Sequence, residues 1–402
     1  MTTAQSFLLF LVVLGAAATM LRLVSRSTPT IPYPVLLAVG GILIGLVPAA
    51  RLQPVRPDLI LLAFVPGLVF EASLALDLDE MWRRVVPITL LATVGVFLTV
   101  AVVGVLGHFG LGFDWASALL LGGIVAATDP IAVVNLLRQV GAPIGLKAIL
   151  EGESLFNDGT GVAVFSAVLG TILAGHPTLS DAGLRFVLVT AGGVAVGLAI
   201  GVVGVALLRL VREAELEIMI TLVLAYGAYL VADIVHASGV VSVVTAGIVV
   251  ARYASRSGRL KGTQLIGFWN LLAFVLNAIL FLLVGIALPT QQLASVAGLA
   301  LAAYAIMFAA RAIPVYGLLG VADIRGTTIP WPWRHMTLWG GMRGALSVAL
   351  ALSVAAYPQV NPKVSVIAYG MVVLSLVIQG GLLLPVADLL GLRSVPTPDG
   401  PD

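Results

Sequence analysis

Two carboxylates, Asp129 in GGIVAATDPIAVV and Asp158 in GESLFNDGTGVAVF, sit in the middle of long apolar stretches. An acid at the centre of a membrane-spanning helix costs roughly 2.5–3.5 kcal/mol, so acids retained there line ion or proton paths. Ser154 and Asp158 stand at i and i+4 and share one helix face, while Glu153 and Asn157 form the adjoining pair. Pro130, directly after Asp129, removes a backbone donor and frees main-chain groups near Thr128. Asp158, Asp129, the Ser154 hydroxyl and a Thr128 carbonyl make an all-oxygen environment, which a hard alkali cation needs in place of its water. Hydrocarbon disfavours a bare carboxylate, so a proton competes with the cation for these oxygens. A carrier that reorients only when one or the other is bound would exchange Na+, and by the same chemistry Li+, for H+ without ATP. No nucleotide fingerprint or catalytic triad accompanies these residues, and neither an enzymatic activity nor a cofactor is expected.

The elements that must position these groups are membrane helices. The chain is 60% hydrophobic and only 10% charged, with a mean hydropathy of +1.12, which places it among polytopic all-α membrane proteins. Thirteen segments are long enough to cross the bilayer, near 5–24, 31–50, 58–76, 84–107, 114–138, 146–173, 183–208, 215–234, 237–255, 265–288, 291–316, 335–357 and 362–388. The first is followed, not preceded, by Arg22 and Arg26, the reverse of a signal peptide, so it is expected to remain in the protein. Most Lys and Arg fall in the loops after odd-numbered helices, which puts the amino terminus outside and the tail, 389–402, in the cytoplasm. Arg252, Arg256, Arg259 and Lys261 form the longest basic cluster and are assigned to this topology signal. The net charge of +2 comes mostly from loop arginines and gives no case for nucleic acid binding. There is no cysteine, so disulfides and thiolate metal sites are excluded. One integral domain, 1–402, accounts for the chain.

Two helices carry signs of interruption. The fifth has Asp129-Pro130; the twelfth has Gly340, Gly341 and Gly344 around Arg343. Split around helix seven, helices 1–6 and 8–13 place these breaks in matching positions, the mark of inverted repeats with a site near the bilayer midplane. Glycines that merely let helices pack closely are the other reading of helix twelve.

The strings ATDP (127–130), GESLFNDGTGVAVF (152–165), HASGVVSVVTAGI (236–248), FWNLLAFVLNAILFLLVGI (268–286) and WGGMRGALSVALALS (339–353) closely resemble the NhaP/NHE-type sodium/proton antiporters, within the monovalent cation:proton antiporters. The resemblance implies that Asp158 is the ion and proton carrier, accompanied by Asp129, Ser154 and the Thr128 carbonyl. It implies that Asn157, where electrogenic relatives carry a second aspartate, goes with electroneutral exchange of one cation for one proton. Glu71, in LVFEASL, matches an acid that helps close the ion site. Glu153 matches a buried glutamate paired with an arginine of a late helix, for which Arg311 is the candidate. The family fold would be a homodimer in which a core holding crossed, discontinuous helices five and twelve moves against a dimerisation domain. A bacterial inner membrane is the expected setting. Asn270, following Phe268-Trp269 where an acid is common, departs from the pattern.

Competing readings attach to several residues. Two opposite charges buried in apolar segments neutralise each other, so Glu153 and Arg311 read as a structural pair. Arg343 is assigned to bonding helix-end carbonyls at the crossing, the alternative being a positive potential that acts on Asp158. Glu71 could instead snorkel toward the loop of Asp77, Asp79 and Glu80. His236 beside Asp233 reads as an interfacial histidine rather than a pH sensor. Asn277 reads as an interhelical hydrogen bonder. Oxygen ligands alone leave a K+/H+ antiporter open, and a cation channel would share the buried acids and broken helices.

Overall fold

The computed structural model describes residues 3–27, 31–46, 57–175, 179–257, 264–286, 295–324, 328–354 and 357–392. Arg259, Lys261 and the tail from Arg393 onward lie outside these residues. Every regular element among those described is helical. In chain order these are α1 (Thr3–Ser27), α2 (Tyr33–Gly45), α3 (Pro57–Ala75), α4 (Leu78–Arg83), α5 (Val85–Leu90), α6 (Val96–Leu111), α7 (Trp115–Ile124), α8 (Ile131–Gln139) and α9 (Ile144–Leu173). There follow α10 (Leu179–Leu210), α11 (Ala214–Ile234), α12 (Gly239–Arg256), α13 (Gln264–Ile286), α14 (Ala297–Ile324), α15 (Trp331–Trp339), α16 (Ala345–Val354), α17 (Pro362–Leu374) and α18 (Leu383–Leu389). Among the described residues, nine segments are long and apolar enough to cross a membrane as continuous rods. Tyr33–Gly45, Leu61–Ala75 and Trp115–Ile124 are apolar but shorter.

Local chemistry sets the helix starts. Asp77 caps α4 by accepting from the Asp79 and Glu80 amides, and Asp114 caps α7 by accepting from Ser117 N at 2.9 Å. Ser238 caps α12 through Val241 N, and Asn361 caps α17 through Lys363 N. The end of α11 is closed by His236, whose φ of +57° turns the chain out while Ala237 N bonds Ala232 O at 2.8 Å. His236 is exposed there.

Two features have no local sequence signal. Five residues between α5 and α6, Leu91–Gly95, and six after α17, Ser375–Gly380, form π-helical turns. The helix expected to end near 316 continues through Pro314 to Ile324, because membrane helices tolerate a proline whose freed carbonyl finds other partners.

The helices sort into two packed groups. One holds α1–α3 and α10–α13, the other α4–α9 and α14–α18, and they meet chiefly where α9 packs on α10 and α12 and where α16 packs on α3. Backbones in the first group approach closely at small residues. Gly193, Gly197 and Gly201, spaced four apart on α10, leave no room for a side chain against Ser238, Ser242 and Val249 of the α12 segment. The second group contains both breaks, so the candidate site lies within it and faces the first group.

Candidate ion-binding site

The first break separates α7 from α8. An unbroken helix would send the Thr128 and Asp129 amides to the carbonyls four residues back. Instead Thr128 N donates to Asn157 Oδ1 at 3.2 Å, Asp129 N donates to Met342 O at 2.8 Å, and Ile131 N donates to Asp129 Oδ1 at 3.0 Å. The carbonyls are also accounted for. Ala126 O and Ala127 O accept from Arg343 Nη1 at 2.8 and 3.0 Å, and Thr128 O accepts from Ser154 Oγ at 2.5 Å. Asn157 Nδ2 adds a bond to Thr128 Oγ1 at 2.7 Å, so one side chain holds Thr128 by both its amide and its hydroxyl. Buried backbone groups must be paired, and here the pairing is done by α9 and by the second break.

That second break lies between α15 and α16, in Gly340–Gly344, and it crosses the first directly. Arg343 is 1% exposed; besides the two carbonyls, its Nε lies 3.3 Å from Met307 Sδ. The glycines are there because of close approach: a Cβ on Gly344 would collide with the Asp129 carboxylate, and one on Gly341 with the Arg311 guanidinium.

Behind the crossing, Arg311 from α14 grips Glu153 with two parallel bonds, Nη1 to Oε1 at 2.8 Å and Nη2 to Oε2 at 3.0 Å. Arg311 Nη2 also donates to Thr337 O at 3.0 Å, tying the pair to the end of α15. Both side chains are almost fully buried.

Asp158 is different. Its carboxylate lies on the α9 face shared with Ser154, is half-buried, and makes no hydrogen bond or ion pair among the described residues. Its charged neighbour is Asp129, also half-buried. Around them Thr128, Ser154 and Asn157 are 5%, 3% and 1% exposed, so two accessible acids border a buried, hydrogen-bonded wall. Glu71, on the last turn of α3, has a separate pair of charged neighbours, Arg138 and Glu151, which are themselves bonded at 2.7 Å. Asn277 is half-buried on α13, and Asn270 is exposed.

Several contributors were not singled out from the sequence. Ser375 and Gln379 contact the second break, and Arg334 is buried with Asp323 as its ion partner. The first two had a signal: polar side chains at i and i+4 in the otherwise apolar run MVVLSLVIQGG.

A helical membrane fold with two interrupted helices meeting at paired acids is that of a secondary transporter. The chain belongs to the sodium/hydrogen exchanger family, whose profile, described as "Sodium/hydrogen exchanger, transmembrane", matches residues 9–389. It is 35% identical over 394 residues to the Na(+)/H(+) antiporter ApNhaP of Aphanothece halophytica, covering 96% of this chain and 75% of that protein. It is 37% identical over 389 residues to the low-affinity Na(+)/H(+) antiporter NhaS1 of Synechocystis, covering 92% and 72%. The structure of the sodium proton antiporter MjNhaP1 from Methanocaldococcus jannaschii superposes with a TM-score of 0.75 at 19% identity, over 93% of this chain and 99% of that one, and shows the same fold.

Proposed function

We propose that the protein is an electroneutral Na+/H+ antiporter that loads either one monovalent cation or one proton at Asp158 and Asp129, with Ser154 and Thr128 completing the oxygen set. The observation that carries this is the unpaired Asp158 carboxylate beside Asp129, next to Thr128, Ser154 and Asn157, whose polar groups are already bonded to one another. A structural acid would have been given a partner too. The charges of the crossing support one-for-one exchange. Glu153 and Arg311 cancel, and the formal charges of Arg343, Asp129 and Asp158 sum to a single negative charge for one Na+ or one H+. Asn157, spent on Thr128, adds no second titrating group.

Around this centre, thirteen crossings arise when α7 pairs with α8 and α15 with α16 across their breaks, with inverted repeats about α10. The α4–α9 and α14–α18 group would move against the α1–α3 and α10–α13 group, the latter forming a homodimer in a bacterial inner membrane, with the amino terminus outside. Glu71, at the seam between the groups, closes the cation's access and is held in check by Arg138. That ApNhaP and NhaS1 are Na(+)/H(+) antiporters favours Na+ as the cation. Reconstitution in liposomes carrying a pH dye decides the matter: Na+ is expected to dissipate an imposed pH gradient. Dissipation by K+ alone would overturn the substrate, and a Na+ current without proton movement would overturn exchange.

A further inference from the structure

In a continuous helix, Trp339 O would accept from Arg343 N; the break at Gly340–Gly344 opens that bond. Both orphaned ends are taken by side chains of the π-helical turn that follows α17. Arg343 N donates to Ser375 Oγ at 2.8 Å, and Gln379 Nε2 donates to Trp339 O at 2.8 Å. The Trp339 indole returns a bond, Nε1 to Gln379 O at 2.9 Å. Ser375 and Gln379 are both 0% exposed, and Gln379 Oε1 is buried without a partner, a cost accepted to put a donor at Trp339 O. A π turn carries one more residue than an α turn, and this one brings two polar side chains to opposite ends of a four-residue gap.

We propose that Ser375 and Gln379 are positioning residues that stand in for the missing helical bond and so hold the break open in the register the cation site requires. Met342 O, which receives Asp129 N, and the Arg343 side chain, which holds Ala126 O and Ala127 O, are adjacent in sequence and inside the held segment. Freeing Arg343 N and Trp339 O therefore moves the Asp129 end of the site without touching a cation ligand. This inference rests on the exchange reading above for its transport readout.

The test uses Ser375→Ala, Gln379→Leu, the double variant and Ser375→Thr in the full chain, in proteoliposomes and by hydrogen–deuterium exchange. The double variant is expected to raise the KM for Na+ about tenfold, with a smaller fall in kcat, and to speed amide exchange across 340–344. Ser375→Thr keeps the hydroxyl and is expected to stay within about twofold of the wild type. Unchanged KM and amide exchange in the double variant would overturn the proposal. So would a Ser375→Thr variant as impaired as Ser375→Ala, since packing alone would then explain the position. A wild type that moves no protons with Na+ would sink the exchange reading instead, and the amide exchange across 340–344, which needs no transport, would still decide the positioning role.

Discussion

Asp158 and Glu153 sit five residues apart on one helix and differ in whether anything answers their charge. Glu153 is locked by Arg311, whereas among the described residues the charged group beside Asp158 is Asp129, and on the proposed reading that contrast separates scaffold from working group. Asp158→Asn keeps the shape and removes the charge, so sodium-driven proton movement in liposomes is expected to fall to background while thermal stability in detergent is retained. For the pair, removing one partner strands a buried charge at a cost of about 3–5 kcal/mol, whereas removing both does not. Glu153→Gln is therefore expected to melt at a lower temperature than Glu153→Gln combined with Arg311→Met, and the opposite order would mean that the two side chains are not each other's partner. At this scale the sequence is informative where chemistry is local: the i, i+4 spacing put Ser154 and Asp158 on one face before any fold was known. It is silent on Met342 O and Thr337 O, because main-chain acceptors carry no residue type.

At the scale of elements, each break had a visible cause, Asp129-Pro130 in one and the glycines around Arg343 in the other. What no local pattern disclosed is that the glycines of the second break answer to particular side chains of other elements. Gly344 lies against the Asp129 carboxylate and Gly341 against Arg311. Gly344→Ala is accordingly expected to abolish exchange by displacing Asp129, whereas Gly227→Ala on α11, where an added methyl meets nothing within 4 Å, is expected to leave the rate unchanged. Equal loss in both would show that general helix stiffness, not the Asp129 contact, is at stake. The π-helical turns were illegible for a related reason. LATVG is ordinary apolar membrane sequence, and in SLVIQG Ser375 and Gln379 mark a polar contact without specifying the wider turn that presents them.

Across the whole molecule, the proposed neutral exchange rests on the charge inventory of the crossing, because the low-dielectric interior makes an uncompensated charge costly. Glu153 and Arg311 cancel, and in formal charge Arg343, whose guanidinium holds the Ala126 and Ala127 carbonyls, Asp129 and Asp158 sum to one negative charge, so the crossing carries the same net charge whether it holds Na+ or H+. On the proposed one-for-one exchange, the loaded protein moves through the membrane field without net charge in both directions. A cycle that carried one extra charge across 100 mV would gain or lose about 2.3 kcal/mol, roughly a fiftyfold bias. Clamping proteoliposomes at zero and at 100 mV is therefore expected to change the exchange rate by less than about twofold, and a fiftyfold response would show that a second proton travels. The same inventory fixes the sign of the pH effect: lowering pH on the side where Na+ loads supplies more of the competing proton, so the apparent KM for Na+ rises there. The maximal rate at saturating Na+ is then expected to be recovered, since competition at one site is overcome by mass action. A fall in the maximal rate with unchanged KM would place the titrating group outside the shared oxygen cluster.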